Sequence, residues 1–182
     1  MSGYQSDRAW SEPFIPEMRR LIGPHLLVPS SLEEDRLQAT DLVILRGRDM
    51  TIACRIRRPG YAERFPDQFT IRSRRDNGTV TELDKIIDGW GDWLFYGHAT
   101  GQGVQIAPWW VLNLDAFRSQ LIRSKSRTAI RWDDIPNGDG TWLRWFQISS
   151  FLPHPPLVVA QSESVVSTLS NDLFSIPAEE CR

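Results

Sequence analysis

Between Arg46 and Arg75 the chain places nine arginines (Arg46, Arg48, Arg55, Arg57, Arg58, Arg64, Arg72, Arg74 and Arg75) against three acids (Asp49, Glu63 and Asp67), a local excess of six positive charges. A planar guanidinium holds phosphate or carboxylate through two parallel N–H donors, so a run with so few compensating acids points to phosphate or to an acidic partner. Arg55 and Arg57 are two residues apart, as are Arg72 and Arg74. On extended backbone each pair shares a face, which predicts an arginine ladder across two adjacent strands. The plainer alternative is a solvated strand face or a charged edge that resists strand addition.

Glu82 and Lys85 stand three apart on a predicted helix and so share one of its faces. Lys85 is conspicuous because the chain has only one other lysine, Lys125. Both residues also fit bland roles. Thr79 is spaced from Glu82 as in a capping box, and Glu82 with Lys85 matches an ordinary helix-surface pair. His98, at the end of Phe95-Tyr96-Gly97-His98, has the chemistry of a ligand or general base, or of a hydrogen-bonded structural residue. Eight tryptophans form the other notable set: Trp109-Trp110 point to opposite faces if extended, and an outward ring beside arginines suits base stacking or a protein interface.

The elements that must position these groups are legible in outline. Pro13–Ile22 predicts a short helix, stopped by Gly23-Pro24, and Ser30–Arg36 a further helical turn. Asp41–Leu45, Met50–Arg57 and Gln68–Arg74 predict three strands in succession, with Arg46–Asp49 as a hairpin turn, and hence a meander. Asp76-Asn77-Gly78 is a turn, followed by a helix from Thr79 through Ile87 that ends at Gly89. Strands follow at Trp93–His98 and Trp109–Leu114, a helix at Leu114–Ser124, and a late strand at Trp142–Ser149; Pro153–Pro156 marks a less ordered end.

With 182 residues, 41% of them hydrophobic, the chain suits one core. The expected division is a flexible N-terminus over 1–12, one α/β domain over 13–160, and a Ser-rich acidic tail over 161–182. A formal net charge of -2 argues against a uniformly basic nucleic-acid coat. Cys54 and Cys181 lack the number and spacing of a disulfide framework or zinc site and are read as reduced. No run is apolar and long enough to span a bilayer and no secretory signal is evident, so a cytoplasmic protein without a membrane partner is expected.

The predicted order of helix, three strands, helix and strand, with Asp41 at the mouth of the first strand and Ile52-Ala53-Cys54-Arg55-Ile56-Arg57 as the second, resembles the core of the PD-(D/E)XK nuclease superfamily. The resemblance to this restriction-endonuclease-like fold spans residues 13–120. In that family an acid opens one strand and a carboxylate-x-lysine closes the next. Asp41 stands in the first place, whereas Arg55-x-Arg57 occupies the second. Arginine neither binds Mg²⁺ nor accepts a proton near neutral pH, so acids must come from elsewhere, with Glu17, Asp35 and Glu82 available and Lys85 in place of the missing lysine.

The resemblance therefore implies a catalytic set of Asp41, Glu82 and Lys85, with Asp41 and Glu82 holding Mg²⁺ and Arg55, Arg57, Arg72, Arg74 and Arg75 gripping nucleic acid. A carboxylate-held metal polarises the phosphoryl oxygen and activates water, while a cation steadies the developing charge. Asp41 equally fits a strand cap or an arginine partner. The expected fold is α/β (α+β), a central mixed sheet begun by the three-strand meander and flanked by helices. Two functions from different classes follow. One is a nucleic-acid-acting protein, DNA ahead of RNA, either a divergent Mg²⁺-dependent nuclease or a relative that keeps binding without cleavage. The other is a non-enzymatic interaction or inhibitor module of phage or mobile-element origin that binds an acidic protein surface. A small-molecule pocket beneath the Trp-rich loops is a third, and a homodimer is left open.

Overall fold

The run Trp93–Ala99 contains no Asp, Glu, Lys or Arg, and every residue in it is buried, so the rest of the fold is arranged around it. The computed structural model describes residues 9–29, 42–44, 50–124 and 130–163. In chain order the elements are α1 (Ile15–Ile22), β1 (Leu27–Pro29), β2 (Leu42–Ile44), β3 (Ile52–Arg57), α2 (Tyr61–Arg64), β4 (Gln68–Arg75), α3 (Glu82–Ile87), β5 (Trp93–Ala99), β6 (Ile106–Asn113), α4 (Leu114–Arg123), β7 (Trp132–Pro136), β8 (Thr141–Gln147) and β9 (Val158–Gln161). The architecture is mixed α+β.

β5 pairs in parallel with β3 and antiparallel with β6, which carries β9 on its far side, giving a mixed sheet in the order β3-β5-β6-β9. A strand apolar on both faces needs cover on both. Leu94, Tyr96, Trp110 and Leu112 face one core with α3, α4 and a second sheet. Trp93, Phe95, Trp109 and Val111 face another, closed by α1. Phe14, Met18 and Ile22 recur every four residues, so one stripe of α1 and the turn before it supplies that cover. The neighbouring Trp109 and Trp110 are thus both buried, one in each core. Gly97 is required by close approach: a Cβ there would sit 2.5 Å from Ile106 Cγ2.

The second sheet is antiparallel, in the order β4-β8-β7. Its Phe69 and Phe146 stack on each other at 5.2 Å and enter the first core, where Phe69 meets Tyr96 edge-on at 6.3 Å. β4 therefore lies across the face of β5 instead of beside β3.

This overturns the expected meander. The three strands predicted to be neighbours fall in three different sheets: β2 pairs with β1, β3 with β5, and β4 with β8. Period-two patterning sets which face of a strand is buried, not which strand it pairs with. β5, apolar on both faces, and the aromatic face of β4 set the pairing here. The predicted Ser30–Arg36 turn, the Arg46–Asp49 turn and Asp41 lie outside the described residues. Three strands have no counterpart among the predicted elements, β1, β7 and β9. β7 (Trp-Asp-Asp-Ile-Pro) carries two acids and a proline on a sheet edge, and β9 follows the proline-rich stretch taken as the start of a less ordered end.

Candidate functional site

Arg55 and Arg57 lie on the β3 face that is in register with Tyr96 and His98 of β5, so the pair does share a face. Among the described residues both β3 and β4 are edge strands of their sheets, and β4 leaves backbone groups without ladder partners there. Arg55 closes part of that gap. Its Nη1 donates to the Thr70 carbonyl at 3.2 Å, and its Nη2 donates to Glu82 Oε2 at 2.7 Å. The same Glu82 oxygen accepts from the Arg72 backbone N–H at 3.3 Å. One carboxylate thus ties α3 to both sheets.

Glu82 is available for this because it does not cap its helix. The N-cap of α3 is Thr81, whose hydroxyl accepts from the Asp84 N–H while the Asp84 carboxylate accepts from the Thr81 N–H at 2.8 Å. Those bonds hold the Asp84 carboxyl below its ordinary value. The expected Thr79–Glu82 capping box is therefore replaced by Thr81–Asp84, and Glu82, at the first helical position, turns to Arg55.

Residues of β3, β4, α3 and the turn after α3 line a cleft of about 740 Å³. Its cations are Arg55, Arg57, Arg58, Arg72, Arg75 and Lys85. Among the described residues that line it, Glu82 is the single carboxylate. Arg57 lies 4.2 Å over the Tyr61 ring and Arg58 5.0 Å over Trp10, so two guanidinium groups are steadied by aromatic faces without losing their charge. Arg75 Nε is buried and has no hydrogen-bond partner among the described residues. Lys85 is exposed at the rim.

Arg74 does not join them. The β4–β8 register slips between Arg72 and Arg74, so Arg72 is opposite Leu143, Arg74 opposite Trp142 and Arg75 opposite Thr141. One extra residue in a strand turns the following side chains over. Arg72 and Arg75 consequently face the cleft, while Arg74 lies on the other face, 4.1 Å over the Trp142 ring. The expectation that Arg72 and Arg74 share a face fails at this bulge.

No family model, curated protein or solved structure matches the chain.

What the cleft can do must therefore be read from its own groups. Among the described residues no three His, Cys, Asp or Glu side chains are grouped so as to hold a metal ion. Mg²⁺ takes oxygen ligands, and the one carboxylate in the cleft is engaged by Arg55 amid five other cations. The described residues do not by themselves fit a divalent-ion site, and Asp41 lies outside them. Glu82 and Lys85 do line the same cleft.

His98 lies elsewhere. It is buried between Tyr96 and Trp110, at ring separations of 5.5 and 5.8 Å, and neither ring nitrogen has a hydrogen-bond partner among the described residues. Burial first, and the positive charge of Arg57 second, push its pKa down to about 4, with Glu63 offsetting part of this. The ring is neutral at neutral pH and does not line the cleft. Trp90 is 72% exposed and does line it.

Proposed function

We propose that this protein acts on nucleic acid, gripping the phosphate backbone in the cleft between β3, β4 and α3. We further propose that it is a divergent relative of the PD-(D/E)XK nucleases in which binding is retained and cleavage lost. The observation that carries this reading is the charge imbalance of the cleft: six cations with one carboxylate, itself bonded to Arg55. Guanidinium groups fixed by backbone and aromatic contacts present their remaining donors without first losing side-chain freedom, which suits bidentate phosphate contact.

The test is to titrate the purified protein with labelled single- and double-stranded oligonucleotides at several salt concentrations, and to incubate it with the same strands in Mg²⁺ or Mn²⁺. Phosphate contacts release counterions, so the logarithm of affinity should fall linearly with the logarithm of salt concentration, by about 0.7 to 0.9 for each phosphate neutralised. Binding with that slope and without strand scission is the expected result. Scission abolished by Asp41→Ala would restore the nuclease reading, and affinity indifferent to salt would remove both.

A further inference from the structure

We infer that the occupant of the cleft is a single-stranded polynucleotide, one of whose bases stacks on Trp90. This rests on the phosphate-gripping reading above and deepens it. The cleft is not only cationic. Its rim carries one of the most exposed large apolar side chains of the described residues, the Trp90 indole at 72% exposure, next to Lys85.

The ring is exposed, but its backbone is held. The Trp90 N–H donates to the Lys85 carbonyl at 3.0 Å, closing the end of α3. Arg118 Nη1 on α4 donates to the carbonyls of Ile86, Trp90 and Gly91 at 3.3, 3.4 and 3.1 Å. Gly91, at φ 78°, packs so closely that a Cβ there would lie 3.1 Å from Leu114 Cδ1. Asp92 then anchors the strand start, its carboxylate accepting from the Thr51 N–H at 2.7 Å. A chain pinned on both sides of a solvent-facing indole offers a flat apolar face at little further entropic cost.

Duplex DNA keeps its bases stacked on each other and offers such a ring nothing. An unpaired strand offers a π-face at every base, and aromatic rings interleaved with cations along a groove are what it needs. Here Tyr61 under Arg57, Trp10 under Arg58, and Trp90 by Lys85 provide that interleaving within one cleft.

The test measures binding of the full chain to three probes by fluorescence anisotropy: oligo(dT) of about 12 nucleotides, within the usual span of single-strand sites, an abasic strand of equal length, and a duplex. Oligo(dT) should bind more tightly than the other two. Trp90→Ala should weaken oligo(dT) binding roughly fivefold to a hundredfold, the range expected for one lost stack, leave the abasic strand unaffected, and be largely rescued by Trp90→Phe. Equal binding of oligo(dT) and the abasic strand, or a duplex bound as tightly, overturns the stacking inference while Arg75→Ala still weakens every probe. If Arg75→Ala changes none of them, the phosphate grip falls as well.

Discussion

The two faces of the β4–β8 pair both carry arginines and use them differently. On the face away from the cleft, Arg144 donates twice to Asp134, at 2.9 and 2.6 Å, and covers Trp132 at 3.9 Å, while Ser73 donates to the same carboxylate and Arg74 covers Trp142. These charges have partners, and they join three strands. On the cleft face Arg72 and Arg75 stand with four more cations, Glu82 is the single carboxylate among the described residues that line the cleft, and Asp139 feels the charge of Arg72 from outside it. The difference is one of degree of compensation, acids and rings offsetting the arginines more fully on one face than on the other, and one extra residue at the β4 bulge decides on which face Arg74 lies.

That comparison breaks most severely if its structural side is removed. Asp134→Ala deletes the acceptor of Arg144 and Ser73 and leaves a half-buried guanidinium unmatched; it should cost about 3 kcal/mol of stability in denaturant titrations and leave oligonucleotide affinity unchanged. The Arg144 hydrogen bonds hold the Asp134 carboxyl below its ordinary 3.8. A carboxyl lowered on folding stabilises the protein above its unfolded value, so this contribution is intact at neutral pH and is lost as pH falls below about 4.

A smaller effect of mixed sign sharpens the other side. Glu82→Gln removes the only carboxylate among the described residues that line the cleft and weakens its bond to Arg55, so stability should drop by about 1.5 kcal/mol while affinity for a polyanion rises. Calorimetry and anisotropy on the same samples read the two signs. A loss of both stability and affinity would mean that Glu82 serves the ligand directly.

Helices α1 and α3 are legible at their ends, since breakers such as Gly23 and Gly89 act within a turn of themselves. The strands β3 to β6 and β8 were legible from apolar runs and turn residues. Their partners were not. Pairing depends on contacts between residues far apart, such as Phe69 on Tyr96, which no local pattern encodes. The Ser73 bulge left no mark in Arg72-Ser73-Arg74-Arg75, so the ladder was drawn one residue too regular. The spacing points to Thr79 as the cap of α3, whereas Thr81 caps it with Asp84, and Glu82 is left to reach Arg55. The charge excess that draws attention to residues 46–75 survives as a feature of one cleft, reached from two sheets instead of one meander.

The most direct measurement compares Arg72→Ala/Arg75→Ala with Arg74→Ala in salt-dependent oligonucleotide binding. The double variant should lower affinity tenfold or more, on the order of two lost phosphate contacts, and reduce the salt slope by about two. Arg74→Ala should leave both unchanged and lower stability only slightly, through its lost contact with Trp142. Equal losses from both variants, or a larger loss from Arg74→Ala, would contradict the assignment of the cleft face as the site.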